Sequence, residues 1–436
     1  MDQVTEIETA IRGTRPANLE GVLPQHFVFP HYAKFSIANL AGTIAKILGV
    51  TLENGSPPLP EQLWTEAAAD VRRVILLLVD ACGYLQLRRH LAGHPSILGQ
   101  LAQLGSLVPL TSVFPSTTVS ALTTIWTGRA PLEHGFLGTR LLLPEQGLLA
   151  NLLKMAPAAH TSAAGLEDWG WDPAAFVEVP SLANRLRTAG IETVAHTRTS
   201  FIGSSLTRIF LDGMETVRGY VALSDLWVNL RRSLIETRVD RPLFVGAYWG
   251  GLDAVGHTYG PSGEHMTSAL THWARSFEED FLESLPPSAR TGTLLMITSD
   301  HGLIATPPHK VVRLPHHPEL RETLLLPPAG ESRAAYLYAR PGQRDALQAY
   351  VNEHLADRFV LLDTEEALRA GLFGTREPPT SAQRVRLADL LLIASDDSRL
   401  DTSEEQEGTA PLLGHHGSMT PEEMLVPLLI APLDHL

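Results

Sequence analysis

Cysteine is almost absent from this 436-residue chain: Cys82 stands alone, so no intramolecular disulfide can form and a reducing compartment is expected. No uninterrupted apolar stretch reaches membrane-spanning length. Residues 1–21 are polar and acidic, without the basic start and apolar core of a signal peptide. The expected location is therefore cytoplasmic, with no membrane partner. Positive charge is also scarce, since 34 Lys and Arg face 48 Asp and Glu for a formal net charge of −14. No basic stripe of the kind a nucleic-acid polymer requires is present, which excludes that partner. A compact anionic substrate stays compatible where metal ions supply local positive charge. Neither a Gly-x-x-x-x-Gly-Lys loop nor a Gly-x-Gly-x-x-Gly turn occurs, which argues against the common nucleotide-dependent designs. Internal repeats are missing too, and the oligomeric state is left open.

What is present is the pattern of a large α/β chain. Its length allows one big domain with insertions. Ile37, Leu40, Ile44, Ile47 and Leu48 recur at helical spacing and stop at Gly49, predicting a helix before a Pro/Gly-containing linker at 53–60. Continuous apolar runs at 74–79, 243–248, 294–298 and 390–394 read as buried strands, and 107–113 as a further one. Their alternation with helical stretches, among them 118–126 ended by Gly128 and 181–188 ended by Gly190, predicts a mostly parallel sheet with helices on both faces. The expected division is an N-terminal helix and linker at 1–60 and a catalytic domain at 61–436. Within that domain, 141–180, with Trp169 and Trp171, is a candidate lid, and 331–385 a small βαβ-like α+β insertion. The polar segment 396–409, with Glu404 and Glu405, reads as a solvated loop.

Ligands of such sheets bind beyond the carboxyl ends of the strands, where Asp80, Asp253 and Asp300 closely follow their apolar runs. Taken alone, Asp80 is an ordinary strand-end helix cap. Asp253 and His257 form Asp-x-x-x-His, whose spacing sets both side chains on one helical face, although Gly256 disfavours a regular helix. Asp300-His301-Gly302 ends a buried strand with two ionisable groups, costly unless they are paired or ligated. Gly414-His415-His416-Gly417 is a flexible turn able to present an imidazole. In Phe114-Pro115-Ser116-Thr117-Thr118-Val119, a hydroxyl at a helix start can cap the helix or meet a phosphate at its N-terminus. Oxygen and imidazole donors together suit zinc or another borderline divalent metal.

In this order the motifs resemble the alkaline phosphatase superfamily, specifically its type I phosphodiesterase/nucleotide pyrophosphatase branch, from about residue 74 to 429. The resemblance is carried by Asp80 after an apolar strand, Phe114-Pro115-Ser116-Thr117-Thr118 with Thr127-Gly128, and Pro131-x-x-His134-Gly135. It continues through Leu252-Asp253-x-x-Gly256-His257-x-Tyr259-Gly260-Pro261, Ser299-Asp300-His301-Gly302 and His416-Gly417. It implies a phosphoester hydrolase with two divalent metal ions, Zn or Mn. One metal takes Asp253, His257 and His416, the other Asp80, Asp300 and His301, with Thr118 as metal-bound nucleophile. Counting back from Thr127-Gly128 selects Thr118 over Thr117, the His-Gly pair selects His416 over His415, and His134-Gly135 reads as structural. Nucleotide-cleaving relatives often carry an aromatic residue after the nucleophile, where this chain has Val119. They also carry a phosphoryl-binding Asn where it has Thr139 beside Arg140, the candidate substrate contacts.

The implied activity is cleavage of a small anionic phosphoester by in-line attack of the threonine, through a phospho-threonine intermediate. Its rivals on the same site are a phosphomonoesterase or a phosphonoacetate-type C–P hydrolase, then a phosphomutase, then a catalytically silent binding protein. A sulfatase is disfavoured because Cys82 lacks the Cys/Ser-x-Pro-x-Arg setting.

Overall fold

The computed structural model describes residues 3–159, 165–177, 179–238, 240–374, 378–402 and 412–436. Glu404 and Glu405 lie outside the described residues. The apolar run at 74–79 becomes the strand Arg73–Val79, buried along its whole length. It sits at the centre of a seven-stranded sheet ordered Ser106–Thr111, Leu425–Pro432, Thr293–Thr298, Arg73–Val79, Leu243–Trp249, Glu192–Arg198, Thr216–Tyr220. Leu77 pairs in parallel with Ala247 on one side and Ile297 on the other. Leu425–Pro432 alone runs antiparallel, against both its neighbours.

Continuous apolar sequence follows from cover on both faces. On one, the helices Leu40–Ile47 and Thr118–Thr127 bring Leu40, Ile44, Leu122 and Ile125 against Leu76, Leu78 and Phe244. On the other, Leu223–Glu236 and Glu264–Ser276 bring Trp227 and Trp273, rings 5.9 Å apart, against Ile75, Leu77 and Val245. Each such fully buried side chain contributes about 1.5–3 kcal/mol of transfer free energy.

Helix ends fall where the glycines require. Thr118–Thr127 stops at Gly128, whose φ of 67° places it in the left-handed region while its N–H bonds Thr124 O at 2.8 Å. Asp253 and His257 do share a regular helix, Gly251–Tyr259, despite Gly256. A Cβ at Gly256 would come within 2.2 Å of Leu303 Cδ1, so close packing explains a glycine that costs about 1 kcal/mol relative to alanine.

The run at 390–394 departs from the expectation of a parallel strand. Leu390–Ala394 lies in a second, antiparallel seven-stranded sheet, between Phe359–Asp363 and Ala334–Leu337. A buried strand looks alike in sequence whichever way its partners run. The same sheet continues through Ala329–Gly330 into Arg140–Leu143, Leu148–Asn151 and Ala156–Pro157, so residues from the candidate lid and the candidate insertion share one sheet. Among the described residues no helix is long and apolar enough to cross a membrane.

Candidate functional site

Five chain segments converge at the carboxyl end of the central strands. Asp80 directly follows Arg73–Val79, and its main-chain N–H bonds Trp249 O at 3.0 Å. Asp300 and His301 follow Thr293–Thr298 at the neighbouring strand end. The Asp80 turn is locked to them, because Ala81 N donates to Asp300 Oδ1 at 3.2 Å and Cys82 N to Ser299 Oγ at 2.9 Å. Thr118 opens its helix and donates its hydroxyl to His301 Nε2 at 3.2 Å.

The three histidines share one device. His257 Nδ1 lies 2.7 Å from Gly414 O, His416 Nδ1 2.9 Å from Ser116 O, and His301 Nδ1 3.1 Å from Gly302 O. A carbonyl only accepts, so each Nδ1 carries a proton and each Nε2 is turned towards the carboxylates or Thr118. This is how metal-binding imidazoles are usually oriented. The neighbouring His415 is spent differently: its Nδ1 bonds Thr306 Oγ1 at 2.5 Å, and burial pushes its pKa down to about 2.

Around these nitrogens stand carboxylate oxygens without hydrogen-bond partners: Asp80 Oδ1, Asp253 Oδ1 and Asp300 Oδ2, all buried. Asp253 Oδ1 stands 3.1 Å from His257 Nε2, Asp300 Oδ2 3.5 Å and Asp80 Oδ1 3.7 Å from His301 Nε2. Donor atoms of Asp253, His257 and His416 lie within 4.8 Å of one another, as do those of Asp80, Asp253 and His301. Asp253 therefore joins both groups. Asp300 borders the second through its unpartnered oxygen, while its other oxygen accepts from Ala81 N and His301 N.

Electrostatics point the same way. Burial, then the nearby Asp300 and Asp253, raise the Asp80 carboxyl well above the usual carboxylate range. Burial, then His301 and His257, press His416 well below the ordinary imidazole value. Burial also lowers His257, but Asp253 outweighs it and the net shift is upward. Crowded carboxylates and the imidazole nitrogens turned towards them are jointly satisfied by divalent cations, so the donor set fits the expected metals.

Thr139 lies beside this cluster. Its N–H donates to Glu331 Oε1 at 2.6 Å, and its hydroxyl is 3.3 Å from that of Thr117. Arg140 is engaged by Thr402 Oγ1 at 2.9 Å. His134 is structural: Phe136 N donates to its Nδ1 at 3.1 Å, its Nε2 bonds Thr124 Oγ1 at 2.9 Å, and burial lowers its pKa to about 3.

Two residues at the site, Tyr248 and Glu331, escaped sequence reasoning, and a third, Ser116, was legible only as a possible helix cap. Tyr248 donates its hydroxyl to Asp80 Oδ2. Ser116 Oγ donates to Ser418 O at 2.7 Å and accepts from Gly417 N at 3.1 Å, tying the loop before Thr118 to the His416 turn. Glu331 anchors Thr139. Of Tyr248 and Glu331, only Tyr248 carried a local signal, at the end of an apolar run five residues before Asp253.

From Asp80, Thr118 and Asp253 a cleft of about 530 Å³ extends over the helix Thr118–Thr127. Leu122, Trp126, Leu206 and Phe210 line it, with Leu153, Phe201 and Val221 also among its lining residues.

Residues 74–419 match the model of the family described as type I phosphodiesterase / nucleotide pyrophosphatase. No curated protein matches the chain. Solved structures that resemble it include murine ectonucleotide pyrophosphatase/phosphodiesterase 5, at 17% identity and TM-score 0.62, over 81% of this chain and 87% of that one. An inactive threonine-to-alanine form of that murine protein in complex with AMP matches at 18% identity and TM-score 0.61, over 82% and 87%. Phosphonoacetate hydrolase from Sinorhizobium meliloti 1021, in complex with phosphonoformate, matches at 20% identity and TM-score 0.58, over 82% and 89%.

Proposed function

The chain belongs to the type I phosphodiesterase/nucleotide pyrophosphatase family of phosphoester hydrolases, and from that premise we propose that it cleaves a small phosphodiester with Thr118 as nucleophile. The observation that carries this reading is the convergence of the donor atoms of Asp253, His257 and His416 and of Asp80, Asp253 and His301, with three unpartnered carboxylate oxygens among them and the Thr118 hydroxyl on His301 Nε2. Asp253, His257 and His416 would hold one divalent cation, and Asp80, Asp300 and His301 the other, with Thr118 among its ligands. When bound, such cations supply positive charge that favours an ionised hydroxyl and neutralises phosphoryl oxygens.

Thr118 stands at the first position of its helix, where the leading main-chain N–H groups have no intrahelical acceptor and the helix dipole favours an anion. A phosphoryl group seated there has the Thr118 oxygen in line with its ester bond. Attack forms the Thr118 Oγ–P bond as the ester P–O bond breaks and the alcohol departs. Water then breaks the Thr118 Oγ–P bond of this phospho-threonine ester, restoring the hydroxyl and releasing the phosphate monoester that still carries the second group. Thr139, held by Glu331, presents its hydroxyl beside Thr117 for a phosphoryl oxygen, in the place of the family's Asn. The murine relative whose threonine-to-alanine form is inactive supports the choice of a threonine.

Thr118→Ala tests the assignment. Turnover of an aryl phosphodiester is expected to vanish while about two equivalents of Zn or Mn still bind. Near-normal rate in the variant would show that another group attacks. The same assay separates the rivals, since a monoester preferred by orders of magnitude would move the assignment to a phosphomonoesterase, and a phosphonate to C–P hydrolysis.

A further inference from the structure

We propose that the group esterified to the phosphate is a bulky hydrocarbon, the residue of an apolar alcohol or phenol, seated in the cleft beside Thr118. This rests on the hydrolase reading above and adds a substrate class to it. The cleft shares Asp80, Thr118 and Asp253 with the metal-ligand cluster, so whatever fills it is joined directly to the reacting phosphorus. Its lining is dominated by apolar side chains, with Leu122 and Trp126 from the nucleophile's own helix and Leu206 and Phe210 from the helix Ser205–Phe210. The apolar character extends to solvent. Leu153, Phe201 and Val221 remain 51%, 40% and 73% exposed, an arrangement that disfavours water and favours a hydrocarbon occupant.

Size excludes the smaller rivals. A cavity of about 150 Å³ holds a benzene, and this one is more than three times larger at about 530 Å³. A two-carbon phosphonate would leave most of it wet. Geometry argues against a nucleobase slot. Sandwiching a base requires two near-parallel rings about 7 Å apart, since each stacking contact takes about 3.5 Å. Phe201 and Tyr248 instead stand 6.4 Å apart at 49°. Val119, where relatives carry a stacking aromatic, is fully buried and takes no part in the lining.

The test is a series of 4-nitrophenyl phosphodiesters, run on the Zn- or Mn-loaded protein, whose second group is methyl, butyl, octyl, phenyl, 2-naphthyl or 5′-thymidyl. Each methylene withdrawn from water can raise kcat/KM up to about fourfold, so at least a tenfold rise from methyl to butyl is expected. A further gain to octyl without one to naphthyl identifies an alkyl substrate, and the reverse an aryl one. The paired change Phe201→Ser with Val221→Asp, at exposed positions, is expected to flatten the series. Binding to Thr118→Ala protein by calorimetry gives a readout without turnover, with naphthyl phosphate at least tenfold tighter than methyl phosphate. Equal kcat/KM across the series, or preference for the thymidyl ester, would overturn the substrate class and leave the hydrolase assignment standing. Loss of turnover for every ester, with naphthyl phosphate still bound more tightly, would overturn the hydrolase reading while upholding the cleft's preference.

Discussion

Replacing Ser116 with alanine removes one hydroxyl that joins the loop before Thr118 to the His416 turn across three hundred residues of sequence. The hydroxyl donates to Ser418 O at 2.7 Å and accepts from Gly417 N at 3.1 Å, and Ser116 and Ser418 are fully buried. Alanine leaves a main-chain N–H and a carbonyl unsatisfied, at about 1–3 kcal/mol each. A shift of the turn can recover part of this, so the expected destabilisation is about 2–4 kcal/mol in denaturant unfolding of metal-free protein. Such a shift also moves His416, whose Nδ1 is held by the Ser116 carbonyl. Affinity for the second equivalent of divalent metal is then expected to fall about 10–100-fold, as when outer hydrogen bonds of metal ligands are removed. Ser120 is the control. Its hydroxyl lies buried in the helix that follows, Thr118–Thr127, with no partner, so Ser120→Ala should change stability by less than about 0.5 kcal/mol. If the two alanine variants unfold alike and bind metal alike, the Ser116 bridge does not hold the site.

Further outcomes follow from other contacts. Glu423→Gln breaks the fully buried pair between Arg333 and a carboxylate whose Oε1 also accepts from Ser418 N, and should cost about 3–5 kcal/mol in unfolding free energy. Tyr248→Phe removes the hydroxyl that fixes Asp80 Oδ2, and metal titration should show affinity lower by about tenfold or more with the fold intact. Burial lowers both His134 and His196 to a pKa of about 3. Below the unfolded value of 6.5 the unfolded chain binds protons that the folded chain refuses, so stability is fully present above pH 6.5 and declines as pH falls towards 3. The two together should cost on the order of 4 kcal/mol at pH 5, and His196→Gln should halve that slope in unfolding measured against pH.

The parts of the fold legible in sequence are those fixed by local chemistry. The run at 74–79 is a strand because every position is apolar, and the helix from Thr118 ends at Gly128 because only a left-handed residue closes it there. What local chemistry cannot encode is the partner. Leu390–Ala394 resembles the central strands yet pairs in a different sheet, and Leu425–Pro432 occupies an interior position although Pro427 cannot donate to the ladder. The site divides in the same way. Asp253 and His257 were legible as a pair because helical spacing brings them together. Ser116 and Glu331 were not, since Ser116 acts through residues 301 and 302 positions away and Glu331 through one 192 positions away.

Everything turns on Thr118 forming a bond to phosphorus. Acid quench of the Zn- or Mn-loaded protein during steady turnover of an aryl phosphodiester, followed by peptide mass spectrometry, tests this directly. The phosphate carrying the remaining ester group is expected on Thr118 in wild-type protein and nowhere in Thr118→Ala. Phosphate on Thr117, or an unmodified Thr118 in protein that is turning over with hydrolysis of the intermediate slowed, would contradict the account.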